Sequence, residues 1–183
     1  FDMPDPEAVV TYTHRPSNDS HSAYNRSTIT YPGGKGFARN NFVMHYNDHG
    51  LNPSWAALGL PNMREGANRT LVVCTEGTLL LEPGGGMKIF RKGKQVNNEP
   101  MPKVAPRHHW HDWVENILGN KKPLWTPFGI GSRITEPALL ATKATRFPGQ
   151  ELRWDAKNYR FTNHDQANKT ILKRNYAEGF EPV

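Results

Sequence analysis

The residues best suited to chemistry lie in one short stretch of the first half of the chain. The stretch continues from Met44 through Tyr46, Asp48 and His49, then opens into a long loop that contains Trp55. Phenol, carboxylate and imidazole groups donate or accept hydrogen bonds, and an indole offers a flat apolar face. Such a set suits a sugar or polyol, so Tyr46, Asp48, His49 and Trp55 are the candidate substrate-binding residues. The alternative is a polar loop with a packed Trp55.

Three histidines stand close together in Arg107-His108-His109-Trp110-His111, which raises the question of a metal site. On a helix with about 100° per residue, His109 and His111 lie roughly 160° apart, on opposite sides of an apolar stripe. A metal needs ligands that converge at about 2.0–2.1 Å, and one straight helix cannot bring these three together. We therefore predict no metal site and interpret the histidines as helix-surface residues that pack beside Trp110 and Trp113.

Two glycine runs, Gly33-Gly34-Lys35-Gly36 and Gly84-Gly85-Gly86, do not match the phosphate-binding patterns of nucleotide sites. Each run lies between two predicted strands, where glycine serves turns that need a positive φ. The serines also lack the G-x-S-x-G setting of a hydrolase nucleophile. The sequence therefore assigns no cofactor-binding residue and no catalytic residue within this chain.

Composition excludes several other classes of protein. The chain has 183 residues and a net charge of +6, but its basic clusters are short and interrupted by acidic residues. Because no continuous basic stripe or nucleic-acid module is visible, we predict no nucleic-acid partner. No apolar run approaches 18 residues, so no membrane partner is predicted either. The single cysteine, Cys74, follows Val72 and Val73 and is predicted to be a small buried apolar residue.

Strand-forming segments fill the first half of the chain. They are rich in β-branched and aromatic residues and cover residues 8–13, 27–31, 41–46, 70–74, 78–81 and 87–90. The break at Glu76-Gly77 is short enough for a tight hairpin. Strands joined in this way, without helices between them, predict a mainly antiparallel sheet.

The second half changes to a helical period. A first helix is predicted over about 107–119, with Trp110, Trp113, Val114, Ile117 and Leu118 on one face. A second covers roughly 133–146, with Ile134, Leu139, Leu140 and Ala144 available for burial and Pro137 in its first turn or at a kink. A strand at 151–154 precedes a last helix, which Asn163 and Gln166 would cap and Gly179 would end. The predicted fold class is α+β, a mainly antiparallel open sheet with helices packed on one face, in a single domain over 1–183.

A series of short segments carries a resemblance to a known family. The segments are Ile29-Thr30-Tyr31-Pro32, residues 44–53, the hairpin 71–79, the helix leading to Pro123, Thr135-Glu136, Trp154-Asp155, Thr162-Asn163 with Ala167-Asn168, and residues 175–180. In order and spacing they resemble the C-terminal domain of Gfo/Idh/MocA oxidoreductases of the Bacteroidetes and Planctomycetes type. The sequence departs from that pattern at His45, where Trp is usual, at Asp48-His49-Gly50 in place of Asp-Gly-Gly, and at Thr75 in place of Gly.

The resemblance implies a larger parent enzyme. Its N-terminal Rossmann domain would bind NAD(P) and, with a catalytic Lys and His, would lie upstream of Phe1, so the isolated chain is expected to be inactive and to hold no cofactor. The implied partners are a sugar or polyol substrate, that Rossmann domain, and further copies of the chain, which would form a homo-oligomer through the open face of the sheet. The implied setting is the bacterial cytoplasm or periplasm. Two alternatives stay open: a non-catalytic carbohydrate-binding or scaffolding module, and a relative that uses NAD to cleave glycosides.

Overall fold

The structure is a computed structural model that describes residues 4–13, 25–33, 42–48, 51–61, 68–83, 86–97, 99–100, 103, 105–121, 123–172 and 176–180. Within these ranges the chain forms strands, α-helices and one 3-10 turn. In chain order they are β1 Ala8–Thr13, β2 Asn25–Thr30, β3 Val43–Asn47, the 3-10 turn Ala56–Leu58, β4 Thr70–Val73, β5 Thr78–Glu82, β6 Gly86–Arg91, β7 Lys94–Val96, α1 His109–Ile117, α2 Phe128–Ala144, β8 Glu151–Asp155, β9 Arg160–Phe161 and α3 Asp165–Ile171.

The fold is α+β, as predicted, but its strands form two antiparallel sheets. One has the strand order β3-β2-β1-β8-β9 and the other the order β4-β5-β6-β7. Contacts divide the chain into two compact units, Phe1–Leu51 with Gly131–Val183 (unit 1) and Asn52–Ile130 (unit 2). The single domain expected over residues 1–183 stays a prediction.

The core of unit 1 lies between its sheet and the helices. Val9 of β1 pairs with Ile29 on one side and with Leu152 on the other, and all three side chains are fully buried. Leu140 and Ala144 of α2 belong to the same cluster. Because alternate residues of a strand point to opposite faces, the side chains between these positions lie on the other face of the sheet. The prediction of helices on one face of a sheet is thus confirmed in this unit.

Helix α2 begins earlier than predicted, at Phe128, so Pro137 is not in its first turn. Pro137 lies in the middle of the helix and is buried, and its ring nitrogen removes one backbone hydrogen bond from the helix. Leu140 and Ala144 are buried as expected, whereas Ile134 and Leu139 are exposed. The contribution of α2 to the core therefore comes from its second half.

Helix α3 begins one residue later than the proposed capping box requires. His164 is the N-cap, and its Nδ1 accepts a hydrogen bond of 3.0 Å from the backbone N–H of Ala167. Asn163 bonds to strand β8 instead: its Oδ1 accepts from the N–H of Arg153, and its Nδ2 donates to the carbonyl of Glu151. The prediction that Gly179 ends this helix is also wrong, because α3 ends at Ile171.

Unit 2 has a smaller core. Leu60, Leu80 and Phe90 are buried, with Trp55 and Leu71 partly buried against them. The predicted hairpin joins β4 to β5, where the N–H of Cys74 donates to the carbonyl of Gly77 over 2.8 Å. The prediction for Cys74 is wrong, because the residue lies in this turn and its side chain is exposed.

Helix α1 spans His109–Ile117, within the predicted range. Its apolar residues share one face, as the period indicates, but that face is not in a core. Trp110, Trp113, Val114, Ile117 and the following Leu118 are between 44% and 80% exposed. Amphipathic helices of globular proteins normally turn such a stripe toward a core, so the exposure of α1 is unusual.

Candidate functional site

Two of the predicted substrate-binding residues lie at the end of the edge strand β3. Tyr46 pairs with Ser27 of β2 and is 37% exposed. Asp48 follows the strand, where its N–H donates to the carbonyl of Asn25 over 3.0 Å and its own carbonyl accepts from the N–H of Leu51. These backbone bonds hold the chain as it leaves the sheet. Tyr46 and Asp48 are therefore fixed in position by the sheet itself.

Tyr46 lies on the helix-covered side of the sheet and the neighbouring His45 on the other. Met44 packs against the core of unit 1, and because side chains alternate along a strand, Tyr46 shares its side. His45 points away, and its Nδ1 lies 3.2 Å from the hydroxyl of Thr28 on β2. His45, one of the positions at which the sequence departs from the pattern that it resembles, is thus a residue of the open face.

Trp55 has a packing role in unit 2. Its backbone carbonyl accepts from the N–H groups of Leu58 and Leu60, which closes the 3-10 turn. Its ring is partly buried against the cluster of Leu60, Leu80 and Phe90. This arrangement fits the alternative of a packed tryptophan, and a substrate contact through Trp55 stays a prediction.

His49 lies outside the described residues. Of the other three candidates, Tyr46 lies in β3 and Asp48 directly follows that strand, while Trp55 belongs to the other unit. Asp48 is partly buried and Tyr46 exposed, so a hydroxyl-rich molecule can reach a phenol and a carboxylate two residues apart. This pair is the candidate binding site that the described residues support.

The histidines near α1 are organised as helix-surface residues. The rings of His108 and His111 stack with centroids 3.9 Å apart, and Nδ1 of His108 accepts a long hydrogen bond of 3.4 Å from the N–H of His111. The ring of His109 lies beside Trp110, with centroids 5.0 Å apart. Across the part of the chain that the structure describes, no group of three or more His, Cys, Asp or Glu residues is arranged to hold a metal ion.

A polar cluster in the core of unit 1 was not predicted, because its residues come from distant segments of the sequence. The indole Nε1 of Trp154 donates to the carboxylate of Glu136 over 2.7 Å, which ties β8 to α2. Burial of Tyr31 raises the pKa of its phenol, and the negative charge of Glu136 raises it further. Tyr31 therefore stays protonated at neutral pH and can donate to the sulfur of Met44, 3.8 Å away.

Several residues that carry the family resemblance form hydrogen bonds within the fold. Asn168 bonds to both backbone groups of Phe161, accepting from its N–H over 2.7 Å and donating to its carbonyl over 2.8 Å. Asp155 accepts from the side chain and backbone of Asn158 in the turn before β9. These contacts give Asn168 and Asp155 a structural role in the fold.

The comparisons with known proteins assign no family, since no protein-family model and no curated protein matches the chain. Among the helices of the described residues, none has the length and apolar character needed to cross a membrane.

Proposed function

We propose that this chain is the C-terminal substrate-binding and assembly domain of an NAD(P)-dependent oxidoreductase that acts on a sugar or polyol. The observation that carries the proposal is the placement of the exposed Tyr46 and the partly exposed Asp48, whose backbone is held by hydrogen bonds at the end of an edge strand. The resemblance of the segment order to Gfo/Idh/MocA enzymes supports the same function. In the parent enzyme, bound NAD(P) would supply the hydride-transfer chemistry.

The spacing of the two side chains suits a ligand with several hydroxyl groups. A separation of two residues corresponds to about 7 Å in an extended chain. A phenol donates and accepts, whereas an ionised carboxylate accepts, so the pair can bind different hydroxyls of one molecule. In this proposal Tyr46 and Asp48 bind and orient the substrate.

The open face of the unit 1 sheet is the proposed assembly surface. Val10, Thr28 and His45 lie in one row across β1, β2 and β3, on the side opposite the core. Tyr12 on the same face is largely exposed. A face with mixed apolar and hydroxyl-bearing residues suits contact with a further copy of the chain.

Binding of sugars and polyols to the 183-residue chain tests the proposed site. We expect a panel of monosaccharides and linear or cyclic polyols to include at least one ligand, detected by chemical-shift changes in NMR spectra. Tyr46→Phe and Asp48→Asn should each weaken its binding about tenfold, since each removes a hydrogen bond to the ligand. Tyr12→Phe is the matched control and should bind as the natural chain does. Equal binding by all variants, or no binding by the whole panel, would contradict the site.

The gene sequence preceding Phe1 tests the proposed parent enzyme. We expect a strand, a G-x-G-x-x-G/A turn and a helix there, as in a dinucleotide-binding domain. The isolated chain should show no change in NADH fluorescence. Sugar binding without an upstream dinucleotide fold would instead identify a carbohydrate-binding module, and micromolar NADH binding by the chain alone would overturn the assignment of the cofactor to another domain.

A further inference from the structure

Helix α1 presents an apolar surface that the proposed function does not use. The stripe formed by Trp110, Trp113, Val114, Ile117 and Leu118 follows the spacing of a helix-packing face, and each of its residues is well exposed. With ordinary side-chain areas, the exposed parts amount to on the order of 600 Å². That is the upper end of the largest apolar patch on a typical monomer, and such patches mark interaction sites.

The polar residues of α1 indicate what kind of partner covers the stripe. The polar residues of the helix include Asp112, on the side away from the stripe, and Glu115, at its border, and His109–Ile117 contains no Lys or Arg. Helices that lie on anionic membranes instead carry Lys and Arg on the polar face. The charge pattern therefore favours a protein partner over a lipid surface.

The borders of the stripe are complementary to themselves when two copies of α1 pack antiparallel. At about 100° per residue, His111 and Glu115 border the stripe on one side, and His109 and Asn116 border it on the other. When two copies of α1 pack antiparallel with their Trp113 residues near the centre, each border of one helix faces the same border of the second helix. The two facing borders run in opposite directions along the chain. His111 of one copy then lies opposite Glu115 of the second, and His109 lies opposite Asn116, each pair occurring twice.

We infer that the exposed face of α1 is a dimer interface, in which two copies of this chain pack α1 against α1 in antiparallel orientation. The apolar stripe supplies most of the roughly 800 Å² per partner of a standard interface, and the bordering polar residues supply the rest. Trp113 near the centre and Trp110 toward one end are of the residue type that is enriched among the strongest contacts of interfaces. This surface is formed by residues of unit 2, whereas the proposed assembly face is formed by residues of unit 1.

Sedimentation velocity of the chain between about 1 and 100 µM tests the dimer, a range that covers ordinary homodimer affinities. We expect a monomer–dimer equilibrium whose dissociation constant rises at least about tenfold in Trp113→Glu and Ile117→Glu, because both place a charge in the interface. Circular dichroism checks that these variants keep their secondary structure. Val73→Glu is the matched control and should dimerise normally, because Val73 is an exposed apolar residue of β4 outside both proposed contact surfaces. A monomer at all concentrations, or dissociation by Val73→Glu but not by Trp113→Glu, would overturn the proposal.

An experiment that mixes two charge variants tests the antiparallel arrangement by the gain of a heterodimer and not by the loss of a dimer. In the homodimer of His111→Glu, the new glutamate lies opposite Glu115 of the second copy, and the like charges disfavour this dimer. In the homodimer of Glu115→Lys, the new lysine lies opposite His111 of the second copy, which removes the native pair. In a mixture, the new Glu and the new Lys face each other, so native mass spectrometry should show about 90% heterodimer instead of the statistical half. A statistical mixture would exclude the antiparallel pairing of α1, and it would leave the sugar-binding proposal for Tyr46 and Asp48 unaffected.

Discussion

The two units of the chain differ in how much apolar surface they bury. Unit 1 has a cluster of ten buried apolar residues drawn from its central strands and two helices. Unit 2 has a cluster of three, and its helix α1 exposes the whole of its apolar stripe. Apolar residues at regular spacing occur in both units, so the spacing alone does not create a core. What differs is whether another element lies against the apolar face.

Polar contacts show the same contrast. In unit 1, part-buried hydrogen bonds join separate elements: Asn168 bonds to the backbone of β9, and Glu136 joins α2 to β8. In unit 2, Lys88 pairs with Glu82 across one hairpin, and both side chains stay partly exposed. Hydrogen bonds that hold separate elements together are expected to stabilise a fold more than a partly exposed ion pair within one hairpin. We therefore expect unit 1 to be the more stable unit.

The largest effect is expected from truncation of a buried aromatic residue in each unit. Phe161→Ala should lower the free energy of unfolding by about 3–5 kcal/mol, because Phe161 is 2% exposed within the large cluster. The loss of free energy of unfolding in Phe90→Ala should be at or below the lower end of that range. The reason is that the smaller cluster around Phe90 has partly exposed neighbours that can relax into the cavity. Urea denaturation measures both. Equal losses would show that the two cores are packed equally well.

Substitution of one glycine of unit 2 should give the next largest loss of stability, for a different reason. A Cβ atom on Gly77 would lie 2.5 Å from the backbone carbonyl oxygen of Phe90, closer than real contacts allow. Gly77→Ala should therefore shift β5 against β6 and cost about 1–3 kcal/mol. Gly129→Ala is the control, because a Cβ there meets no atom within 4 Å and alanine favours the first turn of α2. A neutral Gly77→Ala would show that the hairpin adapts freely.

The next effect concerns the hydrogen bonds that hold α3 to β9. Asn168→Ala leaves the N–H and carbonyl of Phe161 without this partner, which should cost about 1–3 kcal/mol. Asn168→Asp sharpens the test, because its carboxylate can still accept from the N–H but repels the carbonyl. We expect the aspartate variant to be less stable at pH 7 than at pH 4, in thermal melts. Two variants as stable as the natural chain would remove the proposed reason for the stability of unit 1.

Local patterns predicted most of the elements but not what lies against them. The strand over residues 8–13 was predicted with the bounds that the structure shows, because β-branched residues in a short run leave few alternatives. Strands β7 and β9 were missed, since three and two residues are too short for any period. The apolar stripe of α1 was predicted correctly, yet periodicity shows which residues share a face and says nothing about a partner.

Adjacent residues of similar chemistry caused the error at the start of α3. Asn163 and His164 can each accept a backbone hydrogen bond, and Asn is the commoner N-cap. The structure assigns the cap to His164, because Asn163 is already bonded to β8. In the candidate site, the types of Tyr46 and Asp48 were readable from the sequence. The assignment of Trp55 to the other unit depends on long-range contacts that no local pattern encodes.

The smallest effect is expected at Asp155, in the turn between β8 and β9. Hydrogen bonds from Asn158 lower the pKa of this carboxyl group, and the charge of Arg160 adds to the shift. Because the folded state favours the ionised form, the unfolded chain takes up a proton first as the pH falls. The stabilisation is therefore present above about pH 4, the usual range of an aspartate, and is lost as the pH falls through the lowered pKa.

Asp155→Asn should reduce the free energy of unfolding at pH 7, and the difference from the natural chain should close in acid. Asn158→Ala removes the donor, so the two substitutions together should have little more effect than either alone. A pH profile unchanged by Asp155→Asn would show that this turn adds nothing to the stability of unit 1.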